Sequence, residues 1–483
     1  MLAQLYHSNY WISRLIIERA MGIVYLIAFT VALNQFRPLV GEKGLLPATI
    51  FIKKIPFRRS PSLFQWYYSD YLLRLVAWTG IFLSIILITG LLDDVPIWTY
   101  MSAWFLLWVF YLSIVNVGQI FYGYGWESLL LESGFYTIFL GPLNMATSVL
   151  VIWILRWLVF RVEFGAGLIK MRGDRCWREL TCMNYHHETQ PFPNPLSRYF
   201  HHVPSPLHRF ETFSNHVVQL FIVWGLFAPQ PIASIAAILI ICSQLYLIIS
   251  GNYAWLNWLT VILALSGFSD KFLQHLIPLN VPTVYAITLP YQALIYLLTI
   301  IVAYMSIGPI KNMISRNQAM NRSFNPLHLV NTYGAFGSVT RERYEIIIEG
   351  TNDENVDKKT EWKAYEFKGK PGDTRRRSSQ VAPYHLRIDW QMWFAALEPS
   401  HRPTWFYRFV LRLLQNDKQT LKLIRYNPFG DDAPRFIRAR LFLYRYSTSR
   451  ERKENGQWWN RTYLQDYLRP VSLKDFENFL YYF

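Results

Sequence analysis

The sequence predicts a polytopic α-helical membrane bundle of about 8–9 spans, followed by a C-terminal soluble α+β domain of mixed, β-rich character. Three observations predict it. Apolar runs long enough to cross a hydrocarbon core, roughly 17–25 residues, recur through residues 1–310. Charge is scarce, 17% of residues against roughly 25% in soluble domains. The charge is also unevenly placed: 1–310 holds 18 Lys+Arg and 13 Asp+Glu, whereas 311–483 holds 30 and 19. A transmembrane helix bundle, 1–310, is therefore expected ahead of a soluble domain, 311–483. The net charge of +16 suits an anionic partner surface, and membrane lipids supply one. No zinc-finger, helix-turn-helix or RNA-binding signature supports nucleic acid.

The first apolar run, 11–33, contains Arg14, Glu18 and Arg19 and is followed by no clean small-residue cleavage site. It reads as a first span rather than a cleaved signal peptide. Arg14 and Glu18 share one helix face and are expected as an interfacial helix-end pair. The remaining clear runs are 75–92, 97–115, 143–160, 213–228, 231–250, 253–268 and 284–308. Cys242 is expected as a small core residue in its run. The basic loop 34–74 pulls toward the cytoplasm, but Arg14 and Arg19 compete, so charge alone leaves the orientation open.

One further run, 120–140, is interrupted by Glu127 and Glu132. It either spans or forms a re-entrant helix among the others. Carboxylates in lipid face a polar interior or a basic partner, and Arg156 and Arg161 are the candidate partners. A structural ion pair is the plainer reading of these buried intramembrane acids, beside a proton-sensitive or substrate-facing site. Gly123, Gly125 and Gly134 nearby suit close helix packing.

Between 143–160 and 213–228 lies a polar loop, 165–212, rich in His, Pro, Arg and aromatics. Loops of this length are usually functional or disordered, and the aromatics argue against disorder. Pro191, Pro193, Pro195, Pro204 and Pro206 stiffen it, which suits a preformed binding platform or a rigid cap. His186, His187, His201, His202, His208 and His216 cluster in and beside it. A metal set with Glu188 or Glu211 lacks HExxH or Cys-x-x-Cys spacing. An acid–base site competes with plain half-polar surface residues, and the last is preferred. No catalytic residue, metal or cofactor is assigned. The candidate partner-binding residues are Arg175, Trp177, Arg178, Tyr185, His186, His187, Glu188, Pro191, Pro193, Arg209 and Glu211. Cys176 and Cys182 can pair in an oxidising compartment, which the sequence alone does not decide.

Beyond 310, 344–350 and 361–367 read as strands, 389–397 and 405–415 as helices, and 436–446, which alternates apolar and basic residues, as a strand with one solvated face. Arg375, Arg376 and Arg377 are expected at a solvated loop tip.

Several long and unusual strings resemble the lipase maturation factor family. They are YGYGWESLLLESGFYTIFLGP at 122–142, RCWRELTCMNYHHETQPFPNPLSRYFHHVPSPLHRFETFSNH at 175–216, then LIRYNPF, PRFIRARLFLYRY and WWNRTYLQDYLRPVSL in the C-terminal domain. The resemblance spans nearly the whole chain. It implies a multi-pass, chaperone-like protein that matures secreted dimeric lipases, in the endoplasmic reticulum membrane of a eukaryote or the plasma (inner) membrane of a bacterium. Lipase clients are partners by resemblance only, and no oligomeric state is assigned. The stretch before the first span is shorter than in animal members. No GxSxG elbow, Walker A loop or dinucleotide fingerprint is present, so a non-enzymatic role is expected. Two rival classes stand beside it. One is a membrane enzyme distantly like vitamin K-dependent carboxylases, with Glu127, Glu132, His186 and His187 as its reactive groups. The other is a lipid transporter.

Overall fold

The computed structural model describes residues 9–479. Its first half is helical: α1 (Trp11–Val40), α2 (Ala48–Lys54), α3 (Asp70–Thr89), α4 (Ile97–Val117), α5 (Gly125–Thr137) and α6 (Val149–Arg172). Local chemistry sets the ends. The Ser69 side chain caps α3 by accepting from the Leu72 N–H, and Gly90 closes it at φ +84°, a left-handed turn that glycine adopts without strain. Close packing follows from small residues. A Cβ on Gly22 would meet Ile88 at 2.9 Å, and one on Gly80 would meet the Phe29 ring at 2.6 Å, so each glycine makes room for a large side chain of the facing helix.

Five helices among the described residues are long and apolar enough to cross a membrane: Trp11–Val40, Asp70–Thr89, Ile97–Val117, Ile232–Ser250 and Leu289–Ile314. The other expected spans take different forms. The run 120–140 becomes the 13-residue α5, roughly 20 Å long and too short for a ~30 Å hydrocarbon core. The run 143–160 becomes α6, which extends to Arg172 and encloses buried Arg156, Arg161, Glu163 and Lys170. The run 213–228 is divided between a helix ending at Leu220 and a 3-10 turn, Ile222–Phe227. The run 253–268 supplies only a nine-residue helix and another 3-10 turn. These segments bury part of their apolar surface in protein and expose the rest, as at Trp153, Phe213 and Phe221, and hydropathy does not tell those environments apart.

The polar stretch 165–212 is not an irregular loop. It continues α6, then forms α7 (Arg175–Arg178), α8 (Met183–Thr189), α9 (Ser197–His201) and the start of α10 (Ser205–Leu220). The prolines separate these turns rather than abolishing them, and Pro204 and Pro206 lie at the start of α10, where the missing N–H costs nothing. The chain continues through α11 (Ile232–Ser250), α12 (Leu256–Ala264), α13 (Asp270–Leu273), α14 (Leu289–Met305) and α15 (Ile307–Ile314). Cys242 lies on an exposed face of α11 and not in the core. Arg14 and Glu18 are buried, not interfacial; Arg14 donates to the carbonyls of Leu140 and Leu143 at 3.3 and 3.2 Å.

The C-terminal part contains β1 (Arg343–Thr351), β2 (Lys363–Ala364), α16 (Arg387–Leu397), α17 (Thr404–Leu414), α18 (Lys418–Leu421), β3 (Phe436–Tyr446), α19 (Ser449–Asn455), β4 (Trp459–Ser472) and α20 (Leu473–Phe479). The strands form one sheet in the order β2-β1-β3-β4, antiparallel throughout rather than mixed. Ile346 pairs with Leu441 and Ile348 with Ala439, all four buried. The expected strand 361–367 shrinks to β2 and a bridge between Glu366 and Tyr426. β4 is an edge strand that tolerates Pro470. The Arg375–Arg377 tip is partly tied down: Arg376 donates to the Phe367 carbonyl at 2.7 Å, and Arg377 stacks on Trp458.

Candidate functional site

The segment 165–220 lies between the helices and the sheet, and its polar side chains join the two. Arg343 of β1 donates to the carbonyls of Glu188 and Pro191 at 3.0 and 3.1 Å. Arg198 of α9 donates twice to the Ser447 carbonyl beyond β3, and the Glu188 carboxylate accepts from the Tyr446 N–H at 2.6 Å. Pro191 and Pro193 are buried, and the Pro193 carbonyl accepts from Asn252. Without N–H groups of their own, these prolines present carbonyls to neighbours without demanding partners.

At the centre of the segment His187 and His208 converge on one carboxylate. His187 Nε2 lies 2.9 Å from Glu211 Oε1 and His208 Nδ1 lies 3.1 Å from Oε2. The Tyr246 hydroxyl donates to the same carboxylate at 2.6 Å. Burial alone pushes the Glu211 carboxyl up, but the hydrogen bonds from His187, His208 and Tyr246 outweigh it and bring it down to about 2. The three ligand atoms lie within 4.8 Å of one another. These groups bond directly to one another, while the far ring nitrogen of His187, Nδ1, is buried with no hydrogen-bond partner among the described residues. His186 Nε2 lies 2.8 Å from the Tyr253 hydroxyl. Its ring is driven down to about 3, first by burial and then by the neighbouring His187.

The other candidate partner-binding residues divide by exposure. Arg175 and Arg178 are exposed; Arg175 pairs with Glu179 at 2.6 Å and Arg178 donates to the Met171 carbonyl at 2.8 Å. Arg209 is exposed on α10. Trp177 is buried and donates its indole N–H to the Phe336 carbonyl at 2.7 Å. Tyr185 is half-buried beneath the Arg341 guanidinium. Cys176 and Cys182 are disulfide-bonded, with Cα atoms 4.8 Å apart, and the bridge closes the turn that carries Trp177.

Glu127 and Glu132 are fully buried and belong to separate networks. Glu132 pairs with Arg161 and accepts from Tyr136, Asn331 and Tyr333. Arg156, the other partner expected from sequence, turns instead to the carbonyls of Ser266 and Leu226. Glu127 accepts from Tyr111 and, at 2.8 Å, from Arg387 of α16. His385 lies 3.5 Å from the same carboxylate and is held at about 3, by burial first and the Arg387 charge second. A third buried cluster joins Arg343 and Lys370 to Glu345. Sequence reasoning did not find Arg387, His385, Glu345 or Lys370, because ordinary charges in a polar domain carry no local mark of a distant partner. Glu163 was missed as well, although a carboxylate inside an apolar helix was the available signal.

Two sequence models match in register with this architecture: the lipase maturation factor transmembrane domain over residues 12–275 and the lipase maturation factor C-terminal domain over residues 329–469. Lipase maturation factor 1 of Mus musculus is 40% identical over 99% of this chain and 90% of its own length. The Homo sapiens protein of that name is 40% identical over 98% and 90%. Lipase maturation factor 2 of Xenopus tropicalis is 28% identical over 94% and 81%. No solved structure matches. With both domain models in order and relatives alike from end to end, the chain belongs to the lipase maturation factor family.

Proposed function

We propose that this protein is a membrane-bound maturation factor for secreted lipases, acting as a chaperone-like binder without catalysis. The observation that carries the reading is 40% identity, along 98–99% of the chain, to proteins named lipase maturation factor 1. In this reading residues 1–310 anchor the protein in the endoplasmic reticulum membrane of a eukaryote, or the plasma membrane of a bacterium. Residues 311–483 and the outer face of 165–212 meet the client. Exposed Arg175, Arg178 and Arg209 touch it, while buried Trp177, His186, His187, Pro191 and Pro193, together with Tyr185, Glu188 and Glu211, hold that face in shape. Clients are dimeric lipases whose unpaired apolar surfaces are held until their subunits join.

The test is expression of the chain in cells lacking their own lipase maturation factor, together with lipoprotein lipase. Active secreted lipase should rise, and the combined Arg175→Glu, Arg178→Glu and Arg209→Glu variant should retain less lipase on co-purification at an equal membrane level. A membrane-inserted chain that leaves secreted lipase activity unchanged overturns the reading.

A further inference from the structure

A cavity of about 840 Å³ lies beside α6, behind the proposed client face, and Trp177, His186, Pro191 and Glu211 form part of its wall. It is large for a small-molecule site, which usually spans about 300–1,000 Å³. Leu207 and Phe210 of α10 and Leu239 and Cys242 of α11 line it and are also exposed, so it reaches the protein surface between these helices. Helix α11 is one of the candidate membrane spans, which puts that opening against acyl chains. Trp126 and Trp390 line the cavity from the buried core.

Two charged groups stand in this apolar wall. Glu163 is 1% exposed. Its Oε1 accepts from Gln244 at 2.6 Å, and Gln244 in turn accepts from Asn257 at 2.6 Å. Its Oε2 has no hydrogen-bond partner among the described residues. A buried oxygen left in that state is unfavourable and calls for a donor. Lys170 lies two turns further along the same face of α6. It donates to Asn215 at 2.6 Å and to Gln219 at 3.1 Å, and an ammonium has a third N–H to give.

We infer that the cavity binds a single-chain lipid with an uncharged, hydroxyl-bearing head, the chemistry of a monoacylglycerol. One head hydroxyl donates to Glu163 Oε2, a second head oxygen accepts from Lys170, and the acyl chain follows the apolar wall to the opening on α11. One acid and one base make the polar end neutral overall, which disfavours an anionic head beside Glu163. The inference stands on the cavity and its polar groups and is independent of lipase maturation.

The probe is a diazirine-bearing monooleoylglycerol added to the intact chain in lipid nanodiscs. Irradiation should label peptides from α10 and α11. Unlabelled monooleoylglycerol should compete, and oleate should not. Glu163→Gln removes a charged acceptor and should weaken labelling about ten-fold, and Leu239→Trp, which narrows the opening, should lower it as well. Labelling confined to segments that do not line the cavity, or equal competition by oleate, overturns the inference. So does full labelling of a Glu163→Gln protein with unchanged thermal unfolding. Competition on the unaltered chain decides the matter if either variant fails to fold.

Discussion

Arg387 and Glu127 meet at 2.8 Å with both side chains fully buried. Removing one partner of such a pair strands the other charge, a change that costs about 3–5 kcal/mol. Arg387→Met should therefore destabilise the protein by that amount, and adding Glu127→Gln should recover most of it; thermal unfolding of both variants in nanodiscs checks the pair. His186 gives a pH dependence. Its ordinary value of 6.5 falls to about 3 in the fold, so between these values the unfolded chain binds a proton that the folded chain does not. Stability therefore rises with pH across that window and is lost as pH falls from about 6.5 toward 3, at about 1.4 kcal/mol per pH unit in its middle. Glu211, held at about 2, adds a loss in the same direction at lower pH. His186→Asn should reduce the slope between neutral pH and about pH 5 by its own share, leaving the share of His385, which is also held at about 3. At this scale the sequence was partly legible. Embedded acids announced burial, and Arg161 was findable one helix away, whereas Arg387 lay in a domain whose charges all look alike.

Among the elements, α5 shows most clearly what periodicity can and cannot reveal. Its two carboxylates marked it as unusual, but its length was invisible until Tyr124 and Thr137 were seen to bound it. Gly134 rests against the Tyr25 hydroxyl of α1, leaving no space for a Cβ. Gly134→Ala should separate α5 from α1 and cost about 1–3 kcal/mol, read as a lower unfolding temperature with unchanged membrane insertion. The Cys176–Cys182 bridge closes a short ring, for which loop entropy suggests about 2 kcal/mol. Cys176→Ser should lower stability by that amount while leaving the His187–Glu211–His208 knot in place. Strand β3 was legible because apolar and basic residues alternate along much of it, and β1 because of its short β-branched run Ile346–Ile348. β4 was not, because an edge strand exposed along much of its length has no such alternation. The turns of 165–212 were hidden by prolines that mark boundaries between helices as readily as they mark loops.

For the whole molecule, Arg343, Arg198 and Arg387 tie the C-terminal part to the helices. Unfolding should therefore be a single transition, with tryptophan fluorescence and far-ultraviolet dichroism coinciding; two resolved transitions would mean that the ties are weak. Charge density changes near residue 310, but the span count was not legible, since buried and lipid-facing helices are equally apolar. The Glu127–Arg387 contact has one more consequence, in time rather than in space. The partners are 260 residues apart, and at about 5–20 residues per second a ribosome needs on the order of tens of seconds to pass from one to the other. Throughout that interval the nascent bundle carries an acid without its counter-charge. Completion of the inner core waits on the last quarter of translation, so any chain cut short before Arg387 leaves the ribosome with Glu127 lacking its counter-charge.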